Sequence, residues 1–170
     1  MRFGKSSKII LLLTAAIVLI AAVAMGLSQK AKAPAVTFTS LKGEQIHFES
    51  LRGKVVLVNF WATSCPGCIK EMPQLISTYQ KFHTQGFETI AVAMSYDPPN
   101  YVLTYTKKNA LPFIVTLDLK GDIAQAFGNV KLTPTSFLID KQGHIVQQTI
   151  GEPDFAKLHS LIEEKLKEAT

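Results

Sequence analysis

Val55-Val56-Leu57-Val58-Asn59-Phe60-Trp61 runs directly into Ala62-Thr63-Ser64-Cys65-Pro66-Gly67-Cys68, and the fold turns on this junction. The first seven residues are apolar apart from Asn59 and rich in β-branched side chains, as a buried strand requires. Beyond Cys68 the period changes. Ile69, Met72, Leu75, Ile76, Tyr79 and Phe82 recur every three or four positions, which predicts an amphipathic helix. Pro73 predicts a kink in it, because proline removes a hydrogen bond to the preceding turn. The only two cysteines of the chain therefore stand at a strand-to-helix transition, with Cys65 at the helix N-terminus. Unpaired backbone N–H groups and the positive end of the helix dipole meet there. Both favour the thiolate, which is the reactive form of cysteine. The pattern points to a redox-active dithiol.

Three other readings of the pair stay open at this level. A structural disulfide would close only a four-residue loop, a contribution of about 2 kcal/mol on loop-entropy grounds. Half of a zinc site would need a second pair of ligands. His47, His83, His144 and His159 are scattered along the chain, so no metal site is expected. Two unrelated buried thiols would fit poorly with a helix-cap position.

The N-terminal end has a different character. Residues 1–8 carry Arg2, Lys5 and Lys8 and no acid, and residues 9–27 are almost wholly apolar. Such a stretch spans about 28 Å as a helix at ~1.5 Å per residue, close to the thickness of a bilayer core. The reading is a cytoplasmic basic segment at 1–8, a transmembrane or signal-anchor helix at 9–27, a tether at 28–35 and one folded domain at 36–170. The basic flank places that domain outside the cytoplasm, periplasmic or otherwise extracytoplasmic. Ala22-Val23-Ala24 also fits a small-x-small cleavage site, so loss of this segment is the alternative. The formal charge of +5 is not the footprint of a polyanion partner. Its surplus is Arg2, Lys5, Lys8, Lys30 and Lys32, and from Ala35 onward 13 basic side chains face 13 acidic ones. The folded part is neutral, and no nucleic acid is expected as a partner.

Within the domain, Val36–Leu41 and Gln45–Phe48 flank Lys42-Gly43-Glu44 as a short hairpin. Phe87–Met94 reads as a second buried strand. Asp97-Pro98-Pro99-Asn100 reads as a turn leading into a helix over Tyr101–Lys108. Phe113–Leu117 predicts a short strand and Asp122–Phe127 a short helix. Thr135–Asp140 and His144–Ile150 alternate around Lys141-Gln142-Gly143, a second hairpin. A last helix over Asp154–Glu168 carries the stripe Phe155, Leu158, Leu161, Ile162 and Leu166. Strands that alternate with helices and then close in a hairpin and a helix predict an α/β fold with a mixed central sheet.

The block from Phe60 to Pro73 (Phe-Trp-Ala-Thr-Ser-Cys-Pro-Gly-Cys-Ile-Lys-Glu-Met-Pro) resembles the active-site segment of the thioredoxin superfamily, and within it the TlpA/ResA-like membrane-anchored thiol-disulfide oxidoreductases. Leu132-Thr133-Pro134-Thr135-Ser136-Phe137-Leu138-Ile139-Asp140 resembles the loop and strand in which these proteins hold a cis-proline beside the dithiol. The resemblance covers roughly residues 35 to 168. It implies a thioredoxin-like sheet flanked by helices, preceded by the N-terminal hairpin and the membrane or signal segment. It implies Cys65 as the attacking thiol and Cys68 as the resolving thiol, closing a Cys65–Cys68 disulfide with no other cofactor. Pro134 would be cis, and Thr133 beside it would pair with an extended substrate. Trp61, Pro66 and Gly67 would complete the substrate-contacting surface, Trp61 chiefly as buried support.

Glu71 follows Cys68 by three residues and shares its helix face. Many relatives carry an acid there, where it could exchange the proton of Cys68. The competing reading is a solvated charge on an exposed flank. Two positions depart from the family pattern. Ser64 replaces an aromatic that often precedes the first cysteine, and Asn59 stands where thioredoxin has a buried acid. Asp97, Tyr101, Lys107 and Lys108 are given only surface or packing roles.

The function implied is reduction of protein disulfides outside the cytoplasm, for example in cytochrome c maturation or copper-site assembly, by a monomer. A membrane electron donor would restore the dithiol. A thiol oxidase is the same chemistry reversed. A thioredoxin-fold peroxidase and a copper-binding assembly factor are the two competing functions of a different class.

Overall fold

The computed structural model describes Thr14 and residues 31–169. The chain divides into two compact units, Met1–Lys30 and Ala31–Thr170. The segments expected at 1–8 and 9–27 lie, Thr14 apart, outside the described residues. Among those residues no helix is long and apolar enough to cross a membrane.

The second unit runs β1 (Thr37–Thr39), β2 (Gln45–His47), a 3-10 turn (Phe48–Leu51), β3 (Val55–Trp61), α1 (Pro66–Phe82), a 3-10 turn (His83–Gln85), β4 (Phe87–Ala93), α2 (Pro99–Lys108), β5 (Ile114–Leu117), α3 (Asp122–Ala126), β6 (Thr135–Ile139), β7 (Ile145–Ile150) and α4 (Phe155–Lys167). Each element expected within this unit is present, with no end moved by more than two residues. The helix expected from Tyr101 begins at Pro99, because proline is at home in a first helical turn. α1 contains Pro73 and continues past it to Phe82.

Five strands form one mixed sheet in the order β5-β4-β3-β6-β7. β3 pairs parallel with β4 and antiparallel with β6. All seven residues of β3 are buried, which is why the strand reads as a continuous apolar run. Its side chains alternate between two cores. Val56, Val58 and Phe60 join Phe38, Phe48, Ile123, Phe127 and Phe137 on one face. Val55, Leu57 and Trp61 join Cys68, Met72 and Leu75 of α1, Val102 of α2, and Phe155, Leu158 and Ile162 of α4 on the other. Asn59 belongs to this second row and so points toward α1.

Both sheet edges are covered. Ser40 bridges Thr116, and the Leu41 amide donates to the Val115 carbonyl, so the N-terminal hairpin closes the β5 edge. On the other side Lys32 bridges His144, the Ala33 amide donates to Gly143, and the Ile145 amide donates to Ala31. Residues 31–33, expected in the tether, therefore belong to the fold. Main-chain pairing of this kind leaves no side-chain pattern to read and blunts an otherwise open edge.

The topology brings three loops together. β3 and β4 are parallel, so the loops after Trp61 and after Ala93 lie side by side. β6 runs antiparallel to β3 with Phe60 opposite Thr135, so the loop before β6 arrives where β3 ends.

Candidate active site

Cys65 is the N-cap of α1, Pro66 its first residue, and the Cys65 Sγ accepts a hydrogen bond from the Cys68 amide at 3.2 Å. A side chain that accepts from a first-turn amide is a cap, here made by sulfur. Cys65 and Cys68 are joined as a disulfide. Their environments differ. Cys65 is half-exposed and Cys68 is fully buried in the apolar cluster under α1. The Thr133–Pro134 peptide bond is cis, as the resemblance implies. Pro134 lies against the dithiol turn, its Cδ 3.5 Å from where a Cβ of Gly67 would stand. Thr133 is half-buried just ahead of β6, and Pro66 is exposed.

Beneath the disulfide lies a polar group in an apolar setting. Glu71 is fully buried, so the reading of a solvated flank charge is excluded. Its Oε1 accepts from Asn59 Nδ2 at 2.9 Å, and the same nitrogen donates to Ser136 Oγ at 3.0 Å. Loss of hydration pushes the Glu71 carboxyl up to about 7. The Asn59 hydrogen bond opposes that rise and the charge of Glu152 adds to it. A carboxyl titrating near neutrality on the face of Cys68 is suited to general acid–base work.

Two positions in the loop after β4 hold the site in place, one of them expected to have no more than a surface or packing role. Asp97 is buried, and its two carboxylate oxygens accept from the Thr63 amide and the Thr63 hydroxyl, each at 2.6 Å. Thr63 is two residues before Cys65, so Asp97 fixes the strand-to-turn segment. The neighbouring Tyr96 hydroxyl lies 3.1 Å from Thr133 Oγ1 and ties the same loop to the cis-proline. The signal for both is topological, since parallel neighbours β3 and β4 deliver their C-terminal loops to one place. Tyr101 is exposed, as expected.

Trp61, expected in the substrate-contacting surface chiefly as buried support, keeps the support role alone. It is fully buried, with its ring 5.3 Å from that of Tyr105, so it supports the turn and cannot touch a docked chain. The histidines stay apart from the dithiol. His159 meets Thr78, His144 meets Asp140, His83 stacks on Tyr79 and His47 meets Thr37. Among the described residues no group of three or more His, Cys, Asp or Glu is placed to hold a metal ion.

Comparison with known proteins agrees with this geometry. The Redoxin family matches residues 28–162. The thiol-disulfide oxidoreductase ResA of Bacillus thuringiensis subsp. konkukian is 38% identical over 139 residues, covering 82% of this chain and 77% of the relative. ResA of Bacillus subtilis strain 168 is 32% identical over 133 residues, covering 78% and 73%. The crystal structure of a thiol:disulfide interchange protein of the thioredoxin family from Chlorobium tepidum superposes with a TM-score of 0.75 at 26% identity, over 82% of this chain and 98% of that one.

Two outcomes follow from the site. Asp97→Ala strands the amide and hydroxyl of Thr63 and lowers stability by about 2 kcal/mol in urea unfolding. Asp97→Asn keeps most of it, since its oxygen accepts from the amide while its nitrogen donates to the hydroxyl. A negligible loss in Asp97→Ala would show that the clamp is not made. For Glu71, a folded-state pKa raised from 4.5 to about 7 means that the folded protein holds a proton the unfolded chain has lost. Stability of the disulfide form therefore falls as pH rises from about 4.5 to about 7 and is level above, a span of about 3 kcal/mol. Glu71→Gln removes this fall, and denaturant titrations of both proteins from pH 4 to pH 8 would give parallel curves if Glu71 were solvated.

Proposed function

The chain belongs to the Redoxin family and is a thiol-disulfide oxidoreductase of the ResA type, and on that premise we propose that it reduces disulfides of protein substrates outside the cytoplasm. One observation carries the division of labour: Cys65 is half-exposed at a helix N-cap, while Cys68 is buried beside Glu71. In the reduced protein the Cys65 thiolate attacks a substrate disulfide. One substrate sulfur leaves as a thiol, and a mixed disulfide to Cys65 remains. Cys68 passes its proton to Glu71 and attacks the Cys65 sulfur. The second substrate sulfur leaves, and the Cys65–Cys68 disulfide closes. Two electrons have moved from the dithiol to the substrate.

The regeneration step runs in reverse with a membrane electron donor. Its thiolate attacks Cys65, the released Cys68 thiolate takes the Glu71 proton, and the donor leaves as a disulfide. Pro66, Gly67 and Thr133 form the surface on which the substrate backbone lies, with Pro134 buried directly beneath it and Thr133 pairing with the substrate as an added strand. The apolar stretch at 9–27, with its basic flank, supports a membrane tether with the N-terminus cytoplasmic and the catalytic domain outside. A disulfide substrate presented there, such as an apocytochrome c or a copper-assembly protein, fits this placement. The protein acts as a monomer with no cofactor besides its own disulfide.

Direction is a matter of reduction potential. Equilibration of the full chain with dithiothreitol is expected to give a value at or below about −250 mV, in the range of thioredoxin. A value near about −120 mV would reverse the direction and make the protein a thiol oxidase. The nucleophile assignment is checked separately by trapping. Cys68→Ser accumulates mixed disulfides through Cys65, and Cys65→Ser accumulates none. Equal trapping by both variants would exchange or cancel the two roles.

A further inference from the structure

Asn59 and Glu71 meet across the interface between β3 and α1, and the hydrogen bonds around them are unevenly made. The two hydrogens of Asn59 Nδ2 are used, one on Glu71 Oε1 and one on Ser136 Oγ. The remaining oxygen of each residue, Asn59 Oδ1 and Glu71 Oε2, is buried and has no partner. Two bare acceptors on adjoining groups in a dry interior cost free energy, because neither keeps its hydrogen bond to water. A single proton resolves both. A carboxylic acid has one oxygen that accepts and one that donates, and a primary amide offers the complementary pair. Nδ2–H on Oε1 is already in place, and an acid proton on Oε2 would complete an eight-membered ring by donating to Oδ1.

We propose that Asn59 and Glu71 form this cyclic acid–amide pair in the disulfide form, so that Asn59 is the positioning residue that stores the proton destined for Cys68. The proposal rests on the reading of Glu71 as the proton partner of Cys68 and deepens it. When the disulfide opens at Cys68, the thiolate takes the proton from Glu71. The carboxylate keeps the Nδ2–H bond on Oε1 and loses the bond from Oε2. When Cys68 attacks Cys65, the proton returns and the ring closes. Negative charge thus moves between Cys68 and Glu71 without adding to the total in the core.

The surroundings leave little competition for that proton. Cys68 lies one turn back on the same helix. Ser136 approaches from β6 through Asn59. Glu152, on the loop between β7 and α4, acts through its charge and is paired with Lys70 at 2.7 Å. α4 contributes apolar residues, Phe155 and Leu158, to the cluster that holds Cys68. A side-chain oxygen of asparagine is a poor base but a good acceptor, so it holds the proton in place without removing it.

The test is carbon-13 and nitrogen-15 NMR of the labelled full chain in the disulfide form, from pH 5 to pH 9, with Glu71→Gln for assignment. The expected result is that the Glu71 carboxyl carbon and the Asn59 Cγ titrate together with one midpoint. Below that midpoint a carboxyl proton gives a cross-peak to the Asn59 amide protons. In Glu71→Gln the Asn59 Cγ loses its pH dependence and stays at its low-pH position, because the glutamine Nε2–H donates to Oδ1 as the acid did. If Glu71 titrates and Asn59 Cγ does not follow, the ring is not formed. That result overturns the proposal and leaves Glu71 as the proton partner. A Glu71 carboxyl ionised throughout the range overturns both.

Discussion

The contact between Asn59 on the central strand and Glu71 on the first helix sets the terms for the rest of the site. An acid with no exposure to solvent persists in a core only if it is hydrogen-bonded, neutralised or both. Here the sheet supplies the hydrogen bond, from a side chain that alternation along β3 turns toward α1. That pairing fixes how α1 sits on the sheet at the level of its second turn, and hence where its first turn points the two cysteines. It also leaves a titratable group under Cys68 in surroundings where ionisation is costly, so the proton inventory of the site is controlled by packing.

Much of this is legible in the sequence, for reasons that can be stated element by element. β3 and β4 are buried on both faces, so their runs are apolar throughout. α1 and α4 each bury one stripe, so their periods are helical. Cys65 reads as a cap because the change of period locates the helix start. Glu71 is legible as sharing a face with Cys68, but its charge argues for solvent as strongly as its position argues for the core. The deciding fact is Asn59 across the interface, and a partner twelve residues away in another element has no local signature. Asp97 is hidden for the same reason. Beside Pro98 and Pro99 it looks like a turn residue, whereas its carboxylate serves Thr63, 34 residues earlier.

The dithiol is held by groups from three loops as well as by its own helix. The loop after β3 carries Thr63 to Cys65, the loop after β4 carries Tyr96 and Asp97, and the loop before β6 carries Thr133 and Pro134. A parallel pair places its C-terminal ends together, and an antiparallel neighbour adds the start of its own strand to the same edge. Loops at the carboxyl ends of strands are where open α/β sheets gather their binding groups. The mixed character of this sheet is therefore what allows a dithiol and a cis-proline to face each other.

The adjacent pair Tyr96–Asp97 then acquires a specific meaning. One side chain bonds to the residue before the cis-proline and the next to the segment that carries the dithiol. A single short stretch of backbone therefore spans both halves of the surface on which a substrate disulfide is proposed to lie. Loops tied only to their own strands would vary in separation as each relaxed. Loops tied to a common third segment vary together, so the gap between Cys65 and Pro134 is set by covalent geometry and three hydrogen bonds. Disulfide exchange needs the attacking sulfur held in line with the sulfur–sulfur bond it attacks, and effective alignment depends on how narrowly that gap is held. The bracket from β4 supplies that rigidity at a point where Cys65 is only half-buried against the core.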